Sequence, residues 1–406
     1  MRKNRLGYSK VSGRKTWSCY LMTLLLFATQ LLTGCIEEYE ADISAEDSHL
    51  LVVEGTICAN WQNTFILSRT QSLHSSDTPE MVRGAKVTVR GTDGSEVVAT
   101  GADGRYSCLV GTLSPDVKYY LHIETDGEVY ESEPQHPLRT EKIATVKGVQ
   151  NTPESAIDIL VTLASPTSTD EVKYYSWTYD ETWEVHSDYS TFWFFDTETM
   201  TAVYRADQFP HRGWKTATCP SIIVGASSNY AGQHIQNLKL YDIGRDNERM
   251  MHRYSGLVSQ RAITKAEYEY ELARRQAGSE MGGLFTPQPS ALPTNLHCLT
   301  SKKHVIGFVG CSLGISHYRF FLDGATYSIY HPLLSDSREW LEDCSEEDCR
   351  RMATSGKYLC EWQDDRIIPG GVLRTAWAFD FQLDVRSKGA TVVEPDFWSL
   401  KGDVSD

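Results

Sequence analysis

Three Asp-Gly pairs, Asp93-Gly94, Asp103-Gly104 and Asp126-Gly127, punctuate a run of short alternating segments and constrain this chain more than any other feature. Asp-Gly supplies the positive φ angles that tight hairpins need, so each pair marks a turn between antiparallel strands. The flanking segments fit. Leu51–Ile57 and Thr64–Ser68 are apolar, Ala85–Arg90 and Val97–Thr100 alternate, and Tyr119–Glu124 with Glu128–Ser132 bracket the third turn. Short strands at this spacing predict a β-sandwich over residues 50–138.

The remainder reads as a larger, β-rich domain over residues 139–406. The joint is Gln135–Thr140, with Pro137. Strands are expected at Lys142–Val149, Ile157–Leu163, Leu238–Asp242, Tyr254–Arg261, Val305–Val309, His317–Leu322 and Ala376–Leu383. His211-Arg212-Gly213-Trp214 reads as loop and Gly282–Asn295, with three prolines, as a long loop. One helix is well specified. Thr264 is its N-cap, Glu267 stands at N3 of a capping box, and Gly278 closes a segment predicted near residues 265–276. Arg338–Arg351 suggests a second, short helix. The fold class is therefore mainly β.

Aromatic density peaks between residues 174 and 214. Tyr175, Trp177 and Tyr179 alternate, so they share one face of a strand; Trp183, Trp193, Phe194, Phe195 and Trp214 follow. Two readings compete. The rings form core, because aromatics bury large areas, or they form an open platform for a ligand or partner. Trp193-Phe194-Phe195, set in a polar, loop-like context, is the stronger ligand candidate.

The N-terminal segment has its own logic. Arg2, Lys3, Arg5, Lys10, Arg14 and Lys15 form a basic region without acids, and Tyr20–Leu32 is an apolar stretch too short to span a bilayer comfortably. Leu32-Thr33-Gly34-Cys35 resembles a bacterial lipobox, which predicts a leader over residues 1–34, acylation of Cys35 and a tether over residues 35–49. Each buried CH₂ of an acyl chain contributes about 0.8 kcal/mol, so several chains anchor a protein to the membrane. Glu37, Glu38 and Glu40 follow closely. They resemble the acidic signal that sends Bacteroidetes lipoproteins to the outer face of the outer membrane.

Charge narrows the partners. Residues 1–34 hold six Lys/Arg and no acid, which leaves 33 Lys/Arg against 54 Asp/Glu and a net charge of −21. Such a field repels phosphate backbones and argues against nucleic acid. Eight cysteines follow Cys35, an even number in an exported chain, which favours disulfides. Cys58 and Cys108, alone in the first third, are the expected pair; Cys344 and Cys349 flank four residues and are expected to close a tight loop.

An ordered series of residues then resembles a known family. It comprises Leu51–Gly55, Tyr174–Trp177, Tyr254-Ser255, Val258, Ala262–Tyr268, Gly283–Ser290, Asn295, Val305–Phe308 and Glu394-Pro395-Asp396-Phe397-Trp398. Together these resemble the Bacteroidetes lipoproteins called domain of unknown function 4249. Pro220 after Cys219 and the lack of cysteine in Leu383–Lys388 depart from many members, so no disulfide pattern carries over. The resemblance implies an outer-membrane protein encoded beside TonB-dependent transporters and assisting uptake; it implies no catalytic residue.

The chain holds no H-E-x-x-H, P-loop or dinucleotide fingerprint; G-x-S-x-G occurs once, at Gly310-Cys311-Ser312-Leu313-Gly314. The twelve histidines look scattered, and the Glu346-Glu347 and Asp364-Asp365 pairs are adjacent in sequence rather than set across a cleft. The expectation is a non-catalytic accessory lipoprotein without cofactor or metal, anchored by lipid and partnered by a TonB-dependent transporter. Its ligand, a glycan, a peptide or an iron carrier, stays open. A structural or adhesive envelope component is the alternative, and a hydrolase the third reading.

Overall fold

The computed structural model describes residues 49–405 except 71–78, 167, 169–170, 206–208, 220–221, 280–291, 332–335 and 401. Cys35, the leader and most of the Gly282–Asn295 loop lie outside the described residues.

The first strands are β1 (Leu51–Cys58), β2 (Trp61–Arg69), β3 (Glu80–Met81), β4 (Lys86–Gly91), β5 (Glu96–Ala102), β6 (Arg105–Val110), β7 (Tyr119–Thr125) and β8 (Glu128–Ser132). The Asp-Gly turns fall where expected. Asp103 and Gly104 join β5 to β6 with φ of 51° and 75°, and Asp126 and Gly127 join β7 to β8 with 53° and 75°. Asp93 caps its turn by accepting the Ser95 amide at 3.0 Å.

β9 (Ile143–Gln150), β10 (Ile157–Leu163), β11 (Tyr174–His186), β12 (Trp193–Asp196), β13 (Thr201–Tyr204), β14 (Arg212–Thr218), β15 (Ile223–Ala226), β16 (Leu238–Ile243) and β17 (Arg253–Ile263) come next. Helix α1 (Lys265–Ser279) starts where Thr264 places it but runs through Gly278, the expected end, to Ser279. The Glu267 amide donates to Thr264 Oγ1 at 3.1 Å, while the Glu267 carboxylate is engaged by Arg261. The chain continues through β18 (Leu296–Cys298), β19 (Val305–Ser312), β20 (Ser316–Asp323), β21 (Glu339–Glu342), α2 (Glu346–Thr354), β22 (Lys357–Asp364), β23 (Leu373–Phe379), α3 (Asp380–Leu383) and β24 (Val404–Ser405).

Several local expectations need correction. Arg212–Trp214 opens a strand rather than a loop, because β11 offers it a full antiparallel ladder. Ala376–Leu383 is the end of β23 followed by α3. A second helix, α2, is held by a complete capping box between Ser345 and Asp348.

The N-terminal strands form a ten-stranded sheet in the order β18-β8-β7-β4-β5-β6-β2-β1-β19, with β3 on β2. Only six residues separate β18 from β19, yet they sit at opposite ends of that order. The sheet therefore curls until its ends meet and becomes nearly barrel-like. Two asparagines stand in for strand partners. Asn295 donates to the Val309 carbonyl at 2.9 Å and accepts the Val309 amide at 3.0 Å; Asn63 does the same for Cys58 at 2.9 and 2.7 Å. Thr294 Oγ1 adds a bond to the Gly307 carbonyl at 2.7 Å. Phe65, Leu67, Val87, Leu121, Ile123 and Tyr130 fill the interior, joined by Leu296, Val305 and Val309. The module expected over 50–138 thus takes two strands from residues 296–312.

Two further sheets, β16-β10-β9 and β14-β11-β17-β20-β24, enclose a second core around Ile157, Ile159, Val161, Trp177, Tyr254 and Phe320. The PDFW segment packs against this part. Arg253 donates to the carbonyls of Trp398 and Leu400 and lies 4.4 Å over the Phe321 ring. A three-stranded sheet, β21-β23-β22, with α2 and the β12-β13 hairpin, closes a third core around Phe195, Met352, Leu359 and Trp377.

Candidate functional site

The antiparallel order β14-β11-β17 decides where three histidines go. β11 ends at His186, opposite Arg212 at the start of β14; β17 begins at Arg253, and Tyr254 pairs with Trp183 of β11. His186, His211 and His252 therefore gather at one rim of the sheet. The His186 ring stacks on His252 with centroids 3.7 Å apart and lies 4.9 Å from His211. His331, Lys388, Glu184, Asp188, Asp246, Glu248 and Met251 complete a cleft of about 590 Å³. Trp183 and Val185 point into the core, and alternation along β11 turns Glu184 and His186 toward the cleft.

Hydrogen bonds fix the neutral tautomers of two rings. His186 Nε2 lies 2.7 Å from Glu184 Oε1; a carboxylate only accepts, so Nε2 carries the proton and Nδ1 the lone pair. The Ser187 hydroxyl donates to the Tyr189 carbonyl at 2.7 Å, so its contact with His211 Nδ1 at 2.7 Å takes a proton from that ring. His211 Nε2 is then the lone-pair nitrogen. Glu184 is shared with Arg212 at 2.8 Å, and Lys388 bridges the His186 carbonyl and Asp188 at 2.9 and 2.8 Å. His252 makes no side-chain hydrogen bond among the described residues.

These contacts set the charges. Burial pushes the His211 imidazole below its ordinary value, and the neighbouring His186 adds to this. The same causes take His252 down to about 4. Burial pushes the Glu184 carboxyl up, but Arg212 and His186 outweigh it and hold the group below the usual range. Burial thus favours the uncharged forms of His211 and His252, beside a Glu184 carboxylate that is ionised at neutral pH.

The aromatic candidates lie elsewhere, and most are core. Tyr175, Trp177, Trp183, Phe195 and Trp214 are buried. Tyr179 stacks on Tyr241 at 3.8 Å; Trp214 meets the Trp398 edge at 6.3 Å; Phe195 packs on Trp377 at 5.7 Å. The platform reading fails for these rings, because their strand faces pack inward. Trp193–Asp196 is a strand, not a loop, so its residues alternate. Trp193 and Phe195 face the third core, and Phe194 lies 4.7 Å beneath the Arg205 guanidinium.

The cysteine pairing also needs correction. None of the eight described cysteines stands in a disulfide. Cys58 on β1 and Cys108 on β6 have β2 between them, which puts them about 9–10 Å apart, beyond disulfide reach. Cys344 and Cys349 do meet, with sulfurs 3.5 Å apart, as contacting thiols rather than a bond. Burial pushes Cys58 up to about 11 and Cys311, Cys349 and Cys360 to about 12, so these thiols stay protonated at neutral pH.

Residues 36–313 match the model of a family described as a domain of unknown function, DUF4249. The chain belongs to this family. The match covers β1 through β19 and so includes both ends of the curled sheet and the three rim histidines. No curated protein matches this DUF4249 chain. Among its described residues, no helix is long and apolar enough to cross a membrane, and no three His, Cys, Asp or Glu stand ready to hold a metal ion. The rim histidines escaped sequence reading because each is isolated in the chain. Their one signal is position: His252 lies just before the strand-like run Tyr254–Arg261.

Proposed function

We propose that this DUF4249 protein is a non-catalytic lipoprotein, anchored through Cys35 in the outer membrane and facing the cell exterior. There it captures a nutrient and passes it to a TonB-dependent transporter. The observation that carries this reading is the family match beginning at Ile36, directly after the cysteine of the lipobox-like Leu32–Cys35. The rim cleft, at about 590 Å³, falls in the size range of small-ligand sites and supports a capture role. The Ser187–His211 contact supports a non-catalytic role: Ser187 is buried and its proton is committed to the Tyr189 carbonyl, so it is no activated nucleophile. Anchoring in the plane of the transporter raises effective concentration without strong contacts.

Cys35→Ala should release the protein from the outer-membrane fraction or block its maturation; persistence there refutes the anchor. Protease treatment of intact cells tests display, and full protection refutes it. Recovery of a TonB-dependent porin in mild detergent supports the uptake role, whereas recovery of envelope scaffold proteins alone favours the structural alternative.

A further inference from the structure

We infer that the rim cleft binds a divalent first-row transition-metal ion through the imidazoles of His186, His211 and His252. A ligating histidine ordinarily donates its second ring N–H to a carboxylate, carbonyl or water, which fixes the tautomer and aims the lone pair. Two rim histidines already stand that way. Glu184 holds His186 by Nε2, which frees Nδ1; Ser187 holds His211 by Nδ1, which frees Nε2. Both rings line the same cleft, within 4.9 Å of each other. Glu184 is itself fixed by Arg212 at 2.8 Å, so the carboxylate behind His186 is oriented in turn.

His252 is the third donor and the part that moves. It stacks on His186 with 26° between the planes, and among the described residues no three such groups already stand as a ligand set. The His252 side chain makes no hydrogen bond among the described residues, so turning about χ1 and χ2 gives up the stacking on His186 without breaking a hydrogen bond. Imidazole donors suit Zn²⁺, Cu²⁺ and Ni²⁺ rather than Ca²⁺ or Mg²⁺, which take oxygen. The cleft is also far larger than a bare ion needs, so the ion can keep water or a small chelator on its outer side.

This names a cargo class and rests on the capture reading only for its biological use. The test takes the detergent-extracted protein and titrates ZnCl₂, CuCl₂ and NiCl₂ against a chromophoric competitor. The wild type should bind at least one of these ions more tightly than about 0.1 mM. His186→Ala, His211→Ala and His252→Ala should each weaken binding, and Glu184→Gln should weaken it about tenfold, as loss of an outer partner does. His252→Ala decides the matter if the others misfold, since it removes no hydrogen bond. Absence of binding, or binding unchanged in His252→Ala and His211→Ala, overturns the site. The two readings fail separately. Metal binding without transporter recovery sinks the uptake role, and transporter recovery without metal binding sinks only this site.

Discussion

Asn295→Ala should open the curled sheet at its seam. Asn295 is 2 % exposed, and its side chain satisfies both the amide and the carbonyl of Val309 at 3.0 and 2.9 Å. Val309 itself is buried, so removing the amide leaves two backbone groups without partner or water. Each such group costs about 1–3 kcal/mol, so the variant should lose about 2–6 kcal/mol. That is a large share of the roughly 5–15 kcal/mol by which folded proteins typically exceed their unfolded chains. Urea unfolding followed by tryptophan fluorescence measures the loss. Native-state hydrogen exchange locates it: amides of β18 and β19 should exchange faster, and those of β10 and β11 should not. A loss below about 1 kcal/mol, or faster exchange spread evenly over all sheets, refutes the claim that one side chain seals this edge.

Further outcomes follow from other contacts. Arg253→Ala removes the clamp on the Trp398 and Leu400 carbonyls and should cost about 1–3 kcal/mol, with limited proteolysis cutting first near the PDFW segment; an unchanged digestion pattern counts against the clamp. Stability should fall with pH. His252 takes its proton at about 4 when folded and near 6.5 when unfolded, so its full contribution is present above about 6.5 and is lost as pH falls toward 4. With the ring's partial exposure allowed for, the loss is about 1–2 kcal/mol, and His252→Gln should flatten the profile. Peptide mapping without reductant should find no Cys58–Cys108 link; finding one refutes the strand order β6-β2-β1. Trp177→Ala should cost about 3–5 kcal/mol, since that ring is fully buried; a loss under about 1 kcal/mol returns it to the surface.

How much was legible in the residues depended on how local the cause was. Asp103-Gly104 and Asp126-Gly127 read correctly because a turn's φ angles are set by the two residues that occupy it. The start of helix α1 read correctly because Thr264 accepts the amide of Glu267, three residues on. The aromatic run did not resolve, because alternation shows that Tyr175 and Trp177 share a face but not which neighbour covers it. Cys58 and Cys108 misled for a related reason: the strand that parts them is known only from pairing. The histidine rim was out of reach altogether, since it needs the order β14-β11-β17 and not merely the existence of three strands.

The parallel pairing of β1 with β19 joins Leu51 to Val305, 254 positions later. Closing a loop of that length costs about 5 kcal/mol in chain entropy before any contact rewards it. Contacts so distant along the chain also slow folding. As the polypeptide emerges from its N-terminal end, β1 can pair with β2 early, but its other edge stays bare until Ser312 arrives. For that interval the nascent protein carries an open strand edge, the kind that recruits neighbouring chains. The hazard is therefore greatest while the molecule is still being made and moved, and a variant can assemble poorly without losing any stability once complete.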